Sequence, residues 1–400
     1  MSERVEFPER TKKLIAARAG YRCSIPSCDN GTIGPGSLPD QIASTGTAAH
    51  IYAASKRGPR GSALLSDAEL GEAQNGIWLC ANHGRLIDSN RGNQYPPSLL
   101  QSYKSLHEAR IAREQGGIHL PFGWVQEIKI ARSPIVKTGQ LLRFGKVTLI
   151  TGNNGTGKTA VTDWLMGASD PLPLKRWLVR AAPAQHLCCE LTFFTPDQQT
   201  LSIEGDTEGI HYSLNGKPTA VPPAFIRFLR LREATPSEQQ NPDDLLRLSD
   251  QLCVDKTLIR NVLSMLGSST KGAVSAARLE SRNGEVRLIL DVKGTLKGLT
   301  FTQLSHGEQA LVAIDIAIAL AQSYATFGPT ILVIDQGCPF DRQLLQMYVD
   351  YLASPEHLFQ TVMVLPSREI GIKWTGWEVV QLTGKPPDVK VDQSLEVCTK

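Results

Sequence analysis

The stretch GNNGTGKT, residues 152–159, constrains the fold more than any other part of this chain. It fits the spacing G-x-x-x-x-G-K-[ST] at every fixed position. Its flanks fit as well: VTLIT before it reads as a strand, and KTAVTDWLMGA after it reads as a helix. Strand, glycine-rich turn and helix in that order make a phosphate cradle. Backbone N–H groups turn inward, and the helix N-terminus adds positive potential. Asn153, Asn154, Gly155 and Gly157 are the expected cradle positions. Lys158 is expected to reach the outer phosphates and Thr159 to place its hydroxyl on Mg²⁺.

Two downstream stretches extend this reading. In ILVIDQGCPFD, residues 331–341, Asp335 ends a run of four apolar residues. A carboxylate at the end of a buried strand can hold Mg²⁺ through water. LSHGEQALVAIDIAIALA starts at Leu304 and predicts a helix apolar on nearly all sides, hence buried. Ser305 and Gly307 at its start can offer a hydroxyl and backbone donors to phosphate. Residues 186–217 read as short strands joined by the turns PDQQ, EGDTEG and NGK, residues 236–266 as helical, and ARLESRNGEVRLILDVKG as a second strand pair about RNG. Strands alternating with helices predict an α/β fold.

A phosphate loop, LSxGEQ before a long apolar helix, then four apolar residues and Asp: this order resembles ABC-type ATPases, most of all the SMC/RecF-like branch, over about residues 124 to 385. The resemblance implies an ATP- and Mg²⁺-binding head with a mixed sheet and an antiparallel lobe. It also implies an ATP-dependent homodimer, in which Ser305, Gly307 and Glu308 of one head cap the γ-phosphate held by the other. Gln336 stands where the family usually has a catalytic glutamate. An amide can orient water but cannot take its proton. Ser367 or Arg368 stands where a histidine is frequent. Both departures imply slow hydrolysis and a long-lived ATP-bound pair. No Q-loop is assignable from the sequence. Sustained heptads are absent, which predicts a compact head without coiled-coil arms.

Upstream, Cys23 and Cys28 pair at one short spacing, and Cys80 and His83 at another. Three thiols and an imidazole so spaced suit a tetrahedral structural Zn²⁺; buried free thiols with a surface histidine are the alternative. TAAHIYAAS carries His50, and QNGIWLC carries Asn75. Residues 8 to 112 resemble the ββα-metal domain of HNH nucleases. That resemblance implies His50 as general base, Asn75 as a positioning residue or metal ligand, and a divalent metal on the leaving oxygen. The family ending L-C-x-x-C-H is here Leu79-Cys80-Ala81-Asn82-His83-Gly84. Either His83 is the fourth zinc ligand, or it serves catalysis and zinc keeps three thiols. The first is preferred, since so small a core needs a metal to fold. Ala49 replaces a frequent aspartate ligand. Asp88 lies four residues after Gly84, and Asp88 with Asn75 is the expected substitute pair for Mg²⁺ or Mn²⁺.

Composition sets outer bounds. With 41% hydrophobic and 20% charged residues, the chain has the makeup of an ordinary globular protein, not a disordered one. Eight cysteines, partly clustered, suit a reducing compartment and metal binding better than a disulfide framework. MSERVEFPER lacks the apolar core of a signal peptide, and the longest apolar run, residues 311–321, is short and contains Asp315. The expectation is a cytoplasmic protein with no membrane partner. The first 117 residues hold 14 Lys and Arg against 11 Asp and Glu, so the net +3 lies there. Gly and Pro in EQGGIHLPFG predict a break, giving an HNH-like zinc domain over 1–117 and an ATPase head over 118–400. By resemblance, the whole is an ATP-regulated HNH-type endonuclease that cuts DNA in bacterial defence against phage or foreign DNA. Three readings stand beside it: a catalytically lost HNH domain that only binds nucleic acid or a partner, a RecF-like repair ATPase, and an RNA-directed enzyme. A separately encoded defence partner is left open.

Overall fold

A computed structural model of the chain describes residues 4–393 except 27, 29, 56–57, 62–64, 117–122, 179–185, 196–197, 223–225, 240, 242, 268–270, 283–284, 294–296, 336–340, 355 and 369–370. The chain divides into two compact units. One is Met1–Phe122 with Phe194–Gln198 and Thr326–Pro329; the other is the remainder. No helix among the described residues is long and apolar enough to cross a membrane.

The first unit runs α1 (Glu9–Arg18), β1 (Ile33–Pro35), β2 (Ile42–Ser44), β3 (Gly46–His50), α2 (Asp67–Leu70), β4 (Gly76–Cys80), α3 (Ala81–Leu86) and α4 (Pro97–Gln115). β3 and β4 pair antiparallel, with Ala48 opposite Trp78 and His50 opposite Gly76. Every residue of β4 is buried. The strand hands directly into α3, with Cys80 as the N-terminal cap residue. The result is two strands and a helix in series. Phe7, Ile15, Ala16 and Ala19 pack with Trp78 into a small core. α4 opens with Pro97, whose missing N–H costs nothing in a first turn.

The second unit runs β5 (Val125–Arg132), β6 (Gln140–Arg143), β7 (Val147–Gly152), α5 (Lys158–Met166), α6 (Lys175–Leu178), β8 (Leu187–Phe194), β9 (Gln198–Gly205), β10 (Ile210–Leu214), β11 (Lys217–Thr219), β12 (Arg227–Arg232), α7 (Pro236–Gln239), α8 (Asp244–Leu252), α9 (Lys256–Val262), β13 (Val274–Arg282), β14 (Glu285–Val292), β15 (Leu299–Thr300), α10 (His306–Ala325), β16 (Thr330–Asp335), α11 (Arg342–Ala353), β17 (Gln360–Leu365), β18 (Glu378–Thr383) and β19 (Lys390–Asp392). One sheet has the order β12-β16-β17-β7-β18-β19. It is parallel except for β19. A second has the order β11-β10-β9-β8-β5-β6, with antiparallel pairing of β10 to β9 and β11 and of β5 to β6 and β8. β7, β16 and β17 are almost wholly buried, as parallel strands covered on both faces must be.

α10 packs on β12 and β16 and supplies much of the main core. Its one buried carboxylate, Asp315, accepts the Val274 N–H and the Tyr348 hydroxyl, each at 2.7 Å. Burial pushes Asp315 up to about 6. Residues 236–266, expected to be helical, form three short α-helices and a closing 3₁₀ turn. Cys253, at φ 52°, closes α8 in the left-handed conformation. Asp243 and Asp255 then cap α8 and α9 with their side chains, so local capping breaks the run. The RNG turn expected between β13 and β14 falls partly on residues 283–284, outside the described residues.

Candidate functional site

β7 ends at Gly152, and the loop to α5 projects into solvent at Asn153, Asn154 and Gly155. Gly157 caps α5 at φ 86°, and a Cβ there would come within 2.2 Å of Ile135 Cγ2. Glycine is required on both counts. Lys158 Nζ folds back to donate to the carbonyls of Gly152 at 2.5 Å and Asn153 at 3.1 Å. Those are the weak neutral acceptors a phosphate would replace. Burial lowers the Lys158 pKa, and the charge of Asp335 opposes that shift.

Asp335 closes β16, and the parallel register sets it beside Arg232 of β12. A cleft of about 350 Å³ gathers Asn154, Lys158, Thr159, Arg230, Glu233 and Asp335. An adjoining cleft is lined by Gly155, Gly157, Lys158, Thr159, Arg176 and Trp177 among others. The expected phosphate-loop residues and Asp335 therefore lie together at the carboxyl edge of a parallel sheet, the usual place for a ligand in such a fold. Ser305, Gly307 and Glu308 line neither cleft among the described residues. The Ser305 N–H donates to Glu308 Oε2 at 2.7 Å, and the Glu308 N–H lies 3.4 Å from Ser305 Oγ, a reciprocal cap on α10. Gln336 lies outside the described residues.

Sequence reasoning missed Arg230, Arg232 and Glu233. β12 leads them into the cleft. Nothing in FLRLREA marks Arg230, because its partners Asp163 and Asp335 lie 67 and 105 residues away. Arg232 forks onto Glu238 with Nη1 at 2.9 Å and Nη2 at 2.5 Å. This holds Glu238 down to about 2.

In the first unit, Cys23, Cys28, Cys80 and His83 bring one ligand atom each within 4.8 Å of all the others. Cys28 and Cys80 sulfurs are 3.9 Å apart. His83 Nδ1 lies 3.5 Å from Cys23 Sγ and 3.3 Å from Cys80 Sγ. Zn–S arms of about 2.3 Å and Zn–N arms of about 2.0 Å give tetrahedron edges of roughly 3.8 and 3.5 Å. The donor set therefore fits Zn²⁺. Without a cation, burial pushes the Cys23 thiol up to about 12.

A third cleft, about 390 Å³, is lined by Thr47, His50, Ser55, Arg60, Gly84, Arg85 and Asp88, with Arg4 at its rim. His50 stacks on Phe7, centroids 3.8 Å apart and planes 9° off parallel. Burial lowers the His50 pKa. Its Nε2 is buried without a protein partner.

Of the expected metal pair, Asp88 lines this cleft and Asn75 does not. Asn75 Oδ1 accepts the Tyr52 N–H at 2.8 Å, and its Nδ2 donates to the carbonyls of Tyr52 and Leu70, both at 3.1 Å. Its amide is used up in holding the loop and does not line the cleft. Asp88 is claimed by Arg60 at 2.7 Å. Arg60 also donates to the carbonyls of Ile51 at 2.8 Å, His50 at 2.9 Å and Ile87 at 2.5 Å. With its side chain 3% exposed, Arg60 staples the end of β3 to the end of α3. Gly84 has its own packing reason: a Cβ there would come within 2.5 Å of Thr47 Cγ2. Among the described residues, the only group of three or more Cys, His, Asp or Glu side chains placed to share a metal is the Cys₃His cluster. Arg60→Met is expected to destabilise this unit by about 2–3 kcal/mol, because it strands three carbonyls and a carboxylate. Urea unfolding of the variant checks this; an unchanged midpoint would contradict the staple.

No protein-family model matches the chain, and no curated protein matches it. Several solved structures are similar. An SMC head bound to the C-winged helix domain of ScpA is 14% identical, over 68% of this chain and 98% of that one, with a TM-score of 0.48. The SMC head domain from Thermotoga maritima is 17% identical over 68% and 98%, with a TM-score of 0.43. The recombination mediator protein RecF with ATP is 12% identical over 68% and 99%, with a TM-score of 0.41. Similarity at this level says nothing of what this chain binds.

Proposed function

We propose that the second unit is an ATP-binding, slowly hydrolysing head, and that the first is a zinc-ordered module that contacts nucleic acid. The observation that carries the first half is the convergence of Lys158, Thr159 and Asp335 on one cleft at the end of a parallel sheet. Lys158 would hold the outer phosphates, and Thr159 and Asp335 would hold Mg²⁺. Mg²⁺ bound there supplies charge neutralisation for phosphoryl transfer. Fluorescent-ATP titration of the purified chain tests this, and failure to bind sinks the reading. Ser305, Gly307 and Glu308 lie outside both clefts, which supports their acting on a second copy's nucleotide. Sedimentation with and without ATP should show a dimer only with nucleotide.

For the first unit, the geometry favours binding without metal-dependent cutting. Asn75 does not line the cleft and its amide is held by Tyr52 and Leu70, Arg60 occupies one Asp88 oxygen, and Gly84 brings no ligand. Exposed Arg4 and Arg85 on the cleft would meet phosphates. Endonuclease action is the second reading, favoured by one observation: a desolvated histidine with an unpartnered Nε2 suits a general base. The defence role implied by the HNH resemblance belongs to that reading.

Supercoiled plasmid and structured RNA, each with Mg²⁺ or Mn²⁺ and with or without ATP, separate the two. The expected result is retardation without cleavage. Cleavage lost by about 100-fold or more in His50→Ala would select the nuclease reading. It should then persist at pH values below the ordinary histidine range. A base works only when neutral, and burial keeps His50 neutral to lower pH. DNA or RNA preference is read from the same gels.

A further inference from the structure

We infer that Arg230 is a positioning residue for the Asp335 carboxylate, committing one of its oxygens and leaving the other to face the metal. The inference rests on the ATP-head reading. Arg230 Nη2 contacts Asp335 Oδ2. The Thr162 hydroxyl lies 3.1 Å from that same oxygen and shares its one proton between it and the Thr159 carbonyl at 3.0 Å. Oδ2 thus meets both groups, and Oδ1 meets neither. Arg230 Nη1 donates to Asp163 Oδ1 at 2.6 Å. Asp163 is itself fixed on its other oxygen by Trp177 Nε1 at 2.8 Å and by Arg176.

The side chains of Asp163, Asp335 and Arg230 are 2%, 10% and 13% exposed. A guanidinium held at one end by a buried, clamped carboxylate is not free to swing away. It acts as a rigid strut from α5 to the end of β16. Arg230 and the Asp335 end of the strut line the cleft that holds Lys158 and Thr159, where an Asp335 free to rotate would present its oxygens to Mg²⁺ less well.

The test measures fluorescent-ATP affinity in EDTA and in Mg²⁺, and takes the ratio as Mg²⁺-dependent tightening. This needs no turnover, and a merely structural role would not move it. In R230M the tightening should fall by about 5-fold or more, with affinity in EDTA nearly unchanged. R230K should recover part of it. In D335N the tightening is largely lost, and R230M/D335N should lose no more, since Arg230 acts through Asp335. T162V, which removes only the hydroxyl on the same oxygen, should lose about 2-fold and carries the test if R230M does not fold.

Unchanged or increased tightening in R230M or T162V, or additive loss in the double variant, overturns the inference while leaving the head reading intact. A wild-type chain that binds no nucleotide overturns both.

Discussion

Chelating the metal from the first unit is expected to unfold it. Structural zinc contributes about 10–16 kcal/mol in small domains, more than the whole stability of most of them. Here the ligands tie the turn after α1 to the start of α3: Cys23 and Cys28 come from the first, Cys80 and His83 from the second. The core they brace is small, centred on Phe7, Ile15 and Trp78. Without Zn²⁺, burial of Cys23 leaves a thiol where a thiolate was needed. Cys80→Ser should behave as the chelated protein does. The measurement is metal content by mass spectrometry, paired with tryptophan fluorescence on addition of a strong chelator. A protein that carries no zinc, or keeps its fluorescence after chelation, would contradict the site. The second unit should hold its fold through the same treatment, since its core uses none of these residues.

The second large effect is at the phosphate loop. Lys158→Ala should weaken nucleotide binding by about 1,000-fold, or about 4 kcal/mol. Two charge-assisted bonds to phosphate are lost and nothing nearby replaces them. The variant should fold normally. Nζ in the free protein bonds the loop's own carbonyls, Gly152 and Asn153, and ties the loop to no other element. Isothermal titration with ATP and Mg²⁺, beside a thermal melt, checks both halves. Retained affinity, within 10-fold of the unaltered chain, would mean the triphosphate does not sit on this loop.

The sequence by itself determined the local parts of this protein. The spacing from Gly152 to Thr159 dictates a strand, a turn and a helix, because the loop closes over neighbours a few residues apart. Cys23 with Cys28, and Cys80 with His83, are likewise short-range pairs whose chemistry shows in the letters alone. The alternation of strand and helix patterns after residue 123 predicted an α/β fold, and the apolar run after Leu304 predicted a buried α10.

Tertiary structure decided what those parts can do. Asp88 read as a metal ligand from its spacing, and the fold sets Arg60, 28 residues earlier, on one of its oxygens. Asn75 read as a ligand or a positioning group, and its amide turned out to be spent on Tyr52 and Leu70. Gly84 read as a missing histidine, yet the close approach of Thr47 gives it a packing role of its own. Arg230 carried no signal at all, because Asp335 lies 105 residues further on. Charged side chains have ordinary neighbours in sequence and decisive ones in space. Which carboxylate is free for a metal depends on which guanidinium the fold brings to it, and no local pattern encodes that distance.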